Sequence, residues 1–546
     1  MLASLVFIVA MFSTMVLIPP LMRLAGRLNI VDLPDPRKVH SRAIPRIGGI
    51  AMIAAAVALI LLWAPHTASV LWYVAGVGVI ACFGVWDDRR GLDYRLKFLG
   101  QLLAVLCVVF GGDIYIRFLP FSGLEPVGYW VSVPLTVFAL LGITNAINLA
   151  DGLDGLAGGT SFISIAVIGL LAFMAEDSNL LVLCTAVLGG IVGFLRYNTH
   201  PAQVFMGDAG SQFLGFSAGV LVLILTQQTN PAISPLIPLL ILGLPILDTL
   251  LVMGQRLYEG RSPFKPDKNH IHHKLLALGF DQYEAVGIIY TIQAVMVTSA
   301  VFMRYESDWL NAAWFAGLCM SILVLFRCAN RAGWRAHAHR GEGGDSALAR
   351  MAAVVKRSGA LVRFPLAYIV VAVPGYLVYA MQHMGAVPMD AVLTLSGMLL
   401  LLVLLIGFAS WRPWVTVVDR IIICTTITAC VYYGLSGEPG SSRLMSLENG
   451  LFVGLVLAII LLYRYSKSRS FKASTMDFLV VFAVMVLPNL LGEGAEQTIL
   501  SEVATKAVIL YYAAELAIAQ SPARPRTVRV VVLVLLAMFV GRALLA

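Results

Sequence analysis

The chain has 546 residues, 59% of them hydrophobic and 12% charged, with a mean hydropathy of +0.87. Soluble globular domains are about 45–50% apolar and about 25% charged, so these values exclude one and predict an all-α polytopic membrane protein. The net charge of +8 comes from 38 Lys and Arg against 30 Asp and Glu, and it reports membrane topology and affinity for anionic lipid heads rather than nucleic-acid binding.

Apolar stretches of about 17–23 residues, each able to cross a hydrocarbon core of ~30 Å, recur along the chain. Eleven predicted spans fall near 2–21, 47–64, 69–86, 97–112, 130–144, 158–174, 179–195, 211–226, 233–253, 285–303 and 309–326. The first has no basic segment before it and ends in Pro19-Pro20 without a small-residue cleavage site, so it is expected to be retained rather than removed as a signal peptide. A basic, Gly-containing stretch then interrupts the pattern and reads as a cytosolic linker over 331–362. Seven more spans follow near 363–381, 389–408, 415–434, 449–463, 475–491, 498–518 and 528–545, giving about 18 transmembrane helices. The expected organisation is a membrane-embedded catalytic domain over 1–330 with 11 spans, the linker, and a C-terminal multi-span module over 363–546 with about 7. The seven cysteines lie mostly within spans without C-x-x-C spacing and read as packing residues.

Orientation follows from the basic residues. With residue 1 outside, all but Arg117, Arg304, Arg443, Lys506 and Arg542 of the 38 Lys and Arg fall in loops or flanks on one side, which the positive-inside rule assigns to the cytosol.

On that same side the span ends carry acids, amides and histidines, and all of these clusters precede the linker. The loop between the first two spans, DLPDPRKVHSRAIPRIGG, offers Arg37, Lys38, His40 and Arg46 as clamps for phosphate oxygens, with topological charge alone as the alternative. The third span ends in Asp87-Asp88, adjacent acids that are costly at a membrane interface unless solvated, paired or metal-bound. Lys97 opens the next span, where its ammonium can reach back toward a bound diphosphate. In NAINLADGLDGLAGG, Asn145, Asn148, Asp151 and Asp154 recur every three residues, a spacing that predicts one face of a helix or near-helix. Asp208 lies between glycines in FMGDAGSQFLG, where a plain Asp-Gly turn capping a helix is the competing reading. Asp248 sits about a turn and a half inside the cytosolic end of the ninth span. The following loop carries His270, His272 and His273. A His cluster raises zinc, but the surrounding carboxylates are hard ligands that select Mg2+ or Mn2+, while histidines beside Lys and Arg suit hydrogen bonding to a pyrophosphate. Acids gathered at one membrane face need a counter-charge, which predicts a metal-assisted reaction on a phosphorylated substrate at the cytosolic interface.

Taken in order, DLPDPRKVHSRAIPRIGGIA, WDDRRGLDYRLKFLGQ, NAINLADGLDGLAGG, FMGDAGSQFLG, PILDT and SPFKPDKNHIHHKLLALGF resemble the polyprenyl-phosphate N-acetylhexosamine-1-phosphate transferases. The RKxH and PRxGG pattern and the HIHH form resemble the undecaprenyl-phosphate N-acetylglucosamine-1-phosphate transferase branch more than the phospho-N-acetylmuramoyl-pentapeptide transferase branch. The resemblance implies attack by undecaprenyl phosphate on the β-phosphorus of a UDP-N-acetyl-hexosamine, giving an undecaprenyl-diphospho-sugar and UMP in the priming step of a cell-surface polysaccharide such as lipopolysaccharide. By motif it puts Asp87 and Asp88 at the lipid phosphate, one of them as the base, and Asp208 at the magnesium site. It further puts Asn148, Asp151 and Asp154 in the nucleotide and metal shell, Lys97 toward the diphosphate, and His270, His272 and His273 along the phosphates or sugar. It implies a bacterial inner-membrane location with a cytosolic active site.

The resemblance stops near residue 330. The later spans are expected either to dock downstream glycan-assembly proteins or to act as a fused scaffold. The rival from another class is a lipid-linked glycan transporter or flippase using membrane carboxylates; it predicts acids at mid-membrane, whereas most acids here mark one interface.

Overall fold

A computed structural model describes residues 2–32, 43–123, 125–260, 270–336, 360–406, 413–435, 442–465, 475–486, 490, 495–520 and 525–545. Lys38 and His40, together with Arg37, lie outside the described residues. The architecture is all-α, with one two-residue antiparallel ribbon, β1 (Val31–Asp32) and β2 (Ile44–Pro45). Ten helices among the described residues are long and apolar enough to cross a membrane, and shorter apolar helices such as Gly48–Trp63 accompany them. The chain is therefore a multi-pass membrane protein.

By internal packing the chain divides into two compact units, one of Met1–Ala338 with Ser474–Phe482, the other of His339–Ala473 with Ala483–Ala546. The first contains α1 (Leu2–Leu28), α2 (Gly48–Trp63), α3 (Ala68–Arg90), α4 (Tyr94–Leu106), α5 (Tyr129–Leu149), α6 (Leu156–Met174), α7 (Ser178–Asn198) and α8 (Gly207–Ile224). It continues with α9 (Ile237–Ile241), α10 (Gly243–Tyr258), α11 (Ile271–Ala277), α12 (Gln282–Phe302) and α13 (Asp308–Arg331).

Helices α6 and α8 form the centre and are buried along nearly their whole length. A helix apolar on every side is stable only when neighbours cover it all round, and α2, α3 and α5 pack on α8 while α7 and α12 pack on α6. Helix α3 comes close enough to α8 that a Cβ on Gly84 would lie 2.3 Å from the Ala209 Cα. That contact draws the Asp87-Asp88 end of α3 against the start of α8.

The predicted span 233–253 is two helices, because the backbone leaves helical geometry at Leu242 and Pro245 has no amide with which to continue the ladder from α9. The three-residue stripe of Asn145 to Asp154 is likewise interrupted. Helix α5 ends at Leu149, and Asp151 and Asp154 sit on a turn closed by Gly155, whose φ of 80° suits a residue without a side chain.

The second unit packs α14 (Ala360–Gln382), α15 (Met389–Ile406), α16 (Pro413–Leu435), α17 (Ser442–Tyr465), α19 (Ala495–Gln520) and α20 (Pro525–Leu545) around an aliphatic core that includes Leu377, Val431, Leu455, Leu510 and Leu536. Of the predicted span 475–491, residues 475–486 form the short α18 (Thr475–Val481) and a π-helical turn, Phe482–Val486, while 487–489 and 491 lie outside the described residues.

Candidate active site

The start of α8 organises the acids. Its first amides have no partner inside the helix, so a carboxylate there is stabilised by hydrogen bonds and by the helix dipole. Asp88, buried in the last turn of α3, fills this position: the Asp208 amide donates to its Oδ1 at 2.9 Å and the Ala209 amide to its Oδ2 at 3.2 Å. Gly207 leaves room for that carboxylate, since a Cβ there would lie 2.4 Å from Asp88 Oδ2.

Asp87 turns differently. Its Oδ1 accepts from the Leu92 amide at 2.6 Å, while its Oδ2 is buried without a hydrogen-bond partner and has the Lys97 ammonium 2.5 Å away as an ion pair outside hydrogen-bonding angles. The same ammonium stands 3.7 Å from Asp208 Oδ2. Lys97 thus bridges an acid on α3 and an acid on α8. Arg46, presented by the β1–β2 ribbon through an ion pair with Asp32, approaches Asp88 to 4.0 Å. From α5, Asn148 accepts a hydrogen bond from Ser211 of α8 at 2.6 Å.

The turn after α5 completes this acidic layer. Asp151 keeps an open face to solvent, yet its carboxyl is pushed up to about 7 by lost solvation in the crowded turn, then by the Asp208 and Asp154 carboxylates, with Arg46 opposing. Asp154 points away from the layer: His200 Nδ1 lies 2.7 Å from its Oδ2 and the Ala202 amide donates to the same oxygen at 3.1 Å. Asn198 accepts from the Gly155 amide at 2.9 Å and donates to the Val204 carbonyl at 2.9 Å. The turn is therefore anchored to the loop that leads into Asp208. Asn145, at the end of α5, is exposed.

The histidines form a second group. Asp248, buried in α10, accepts from the Ile271 amide at 2.7 Å, and its Oδ2 lies 2.7 Å from His270 Nδ1, so it fixes both the start of α11 and one imidazole. The His270 and His272 rings stack with centroids 5.7 Å apart, and His273 follows at 4.2 Å from His272. Burial, then the charges of His273 and His270, push His272 down to about 4 against the pull of Asp248, so it is neutral at neutral pH. His272 meets the acidic turn directly: a Cβ on Gly152 would lie 2.3 Å from its Nε2.

The fold thus gathers Asp87, Asp88, Lys97, Asp208, Arg46 and Asn148 around one helix start, and it sets His272 against the turn of Asp151. It gives Asp154 to His200 instead. His200, Ser211, Asn198 and Asp32 escaped the sequence reading; a lone His eight residues before Asp208, in a loop on the same predicted face, was the available sign of the first.

A family model described as Glycosyl transferase family 4 matches residues 70–226, from α3 to the π-helical turn after α8. Together with its apolar helices, this match makes the chain a membrane-embedded transferase of this kind. Over 322 residues the chain is 37% identical to a Bacillus subtilis (strain 168) protein named probable undecaprenyl-phosphate N-acetylglucosaminyl 1-phosphate transferase, covering 59% of this chain and 88% of that protein. Proteins named undecaprenyl-phosphate alpha-N-acetylglucosaminyl 1-phosphate transferase from Escherichia coli (strain K12) and Yersinia pestis are each 31% identical, covering 57% of this chain and 87% of their own lengths. The chain belongs to the undecaprenyl-phosphate N-acetylglucosaminyl 1-phosphate transferase family.

Proposed function

We propose that the chain transfers an N-acetylhexosamine-1-phosphate from a UDP-sugar to undecaprenyl phosphate at the cytosolic face of the bacterial inner membrane, the priming step of a cell-surface polysaccharide. The observation that carries this reading is the bridge of Lys97 between Asp87 and Asp208 beside the amide-bound Asp88. The family relation supports it, and it does not favour a transporter.

An oxygen of the lipid phosphate attacks the β-phosphorus, a new phosphorus–oxygen bond forms, and the bond from that phosphorus to the bridging oxygen breaks, releasing UMP. The nucleophile is already anionic at neutral pH. The protein's task is therefore alignment and charge neutralisation more than proton removal. Lys97 and Arg46 are the cations suited to the two anionic substrates. Asp88 acts as a positioning residue, because both of its oxygens are committed to the α8 amides and hold Asp208 in register. Asp87, whose Oδ2 is paired with the Lys97 ammonium rather than with a backbone amide, and Asp208 are the carboxylates that face the chemistry.

A divalent cation fits this donor set. Among the described residues no three of His, Cys, Asp or Glu stand close enough to hold an ion unaided. Mg2+ takes one or two carboxylates and completes its shell with water and substrate phosphates, whereas structural zinc needs four protein ligands. Asp87 Oδ2 and Asp208, with Asp151 across the turn, would hold Mg2+ or Mn2+. When bound, the ion supplies Lewis-acid stabilisation of the charge on the diphosphate. We assign Asn148 and the turn of Asp151 to the nucleotide sugar, Asp154 to holding that turn, and the histidines, with His270 oriented by Asp248, to its phosphates or sugar.

Purified full-length protein supplied with undecaprenyl phosphate, UDP-N-acetylglucosamine and Mg2+ is expected to release UMP. Absence of UMP with every UDP-N-acetyl sugar tried would overturn the reading.

A further inference from the structure

Residues 474–482 lie far along the sequence, after four helices of the second unit, yet they belong to the first unit. Helix α18 packs on α6 and α12, with Leu479 and Phe482 only 3% and 1% exposed. The Phe478 ring meets the ring of Tyr290 on α12, with centroids 5.6 Å apart. Tyr290 is wholly buried, and its hydroxyl donates to the Gly155 carbonyl at 2.6 Å. One turn further along α6, a Cβ on Gly159 would lie 1.9 Å from that hydroxyl, so the phenol is seated tightly against the helix. Gly155 is the left-handed residue that ends the turn of Asp151 and Asp154.

We infer that the segment 474–482 is a positioning element of the transferase: Phe478 braces Tyr290, and Tyr290 holds the Gly155 turn in the geometry that receives the nucleotide sugar. The inference rests on the assignment of that turn to the donor substrate. The Gly155 carbonyl also accepts the Gly159 amide at 2.8 Å, so the phenol adds a second donor that ties α12 to the end of the turn, and a shifted ring would loosen that tie four residues after Asp151. The matched family segment ends at residue 226, so this brace is drawn from sequence more than two hundred residues beyond it.

The test uses full-length protein and follows UMP release while donor and lipid concentrations are varied separately. Phe478→Ala is expected to raise the KM for UDP-N-acetylglucosamine about fivefold while the KM for undecaprenyl phosphate moves less than about twofold. Phe478→Leu, which keeps an apolar brace, is expected to restore most of the loss. Tyr290→Phe, which removes the hydroxyl that donates to Gly155, should act in the same direction, and combining it with Phe478→Ala should add little, since both act through one contact chain. The inference is overturned by an unchanged donor KM in Phe478→Ala, by equal changes in both KM values and kcat, or by full additivity in the double variant. Asp151→Asn separates the two readings. If it leaves the donor KM unchanged, the assignment of the turn fails; if it raises the donor KM while Phe478→Ala does nothing, the brace alone fails.

Discussion

The two units treat buried charge in opposite ways. In the second, each buried cation among the described residues is matched: Lys506 stands 2.5 Å from both Glu448 and Glu502, Tyr376 donates to Glu448 at 2.9 Å, and Arg529 grips Asp419 through Nε and Nη2 at 3.0 and 2.9 Å. In the first, Asp87, Asp88, Asp151 and Asp208 crowd one helix start, where among the described residues Lys97 and Arg46 offset them and Arg46 is shared with Asp32. The buried side-chain atoms that lack a hydrogen-bond partner among the described residues point the same way, since all of them, Asp87 Oδ2 included, belong to the first unit. A membrane scaffold gains by neutralising what it buries, whereas a site that handles anionic substrates must keep polar capacity in reserve until they and their cation arrive.

The largest expected effect breaks this contrast at its acidic end. Asp208→Asn keeps the shape of the side chain and removes a charge beside Lys97, so UMP release is expected to fall by roughly 10^2 to 10^3-fold, the scale of losing one preorganised electrostatic group, with thermal unfolding little changed. Wild-type turnover in this variant would mean that the acid layer is structural.

A smaller effect is expected where the acid turn meets the histidines. Gly152→Ala would drive a methyl into His272, and overpacking of this kind costs about 1–3 kcal/mol. Activity should drop, and His272→Ala placed in the same chain should recover the melting temperature by removing the clash. If Gly152→Ala is as stable as the parent, the turn and α11 are not in the contact described.

In the second unit the expectation for turnover is reversed. Arg529→Met leaves Asp419 half-buried without its partner, and breaking a buried pair costs about 3–5 kcal/mol of stability. The fraction of protein that remains folded should still turn over at the parental rate. A loss of kcat per folded molecule would show that this ion pair takes part in the reaction.

Much of this contrast was legible in the sequence. Apolar stretches gave the helical membrane class, and polar residues at span ends marked Asp87, Asp88, Lys97 and Asp208, which the fold brings to one helix start. What the pattern could not carry was which acids face the chemistry. Asp88 is turned onto the α8 amides across 120 residues of sequence, Asp154 onto His200 across 46, and Asp248 onto His270 across 22. Such pairings are set by tertiary packing and leave no local periodicity. For the same reason hydropathy read 233–253 as a single span, since it averages over the break at Leu242. The packing of Phe478 on Tyr290 belongs to this class as well.

The central claim is that the phosphorus next to the sugar moves together with the sugar. A donor labelled at its β-phosphorus, incubated with undecaprenyl phosphate, the divalent cation and the full-length protein, tests this directly. The account predicts that label and sugar appear together in the lipid while UMP leaves unlabelled; label retained in released UDP would mean transfer of the sugar alone and would contradict it.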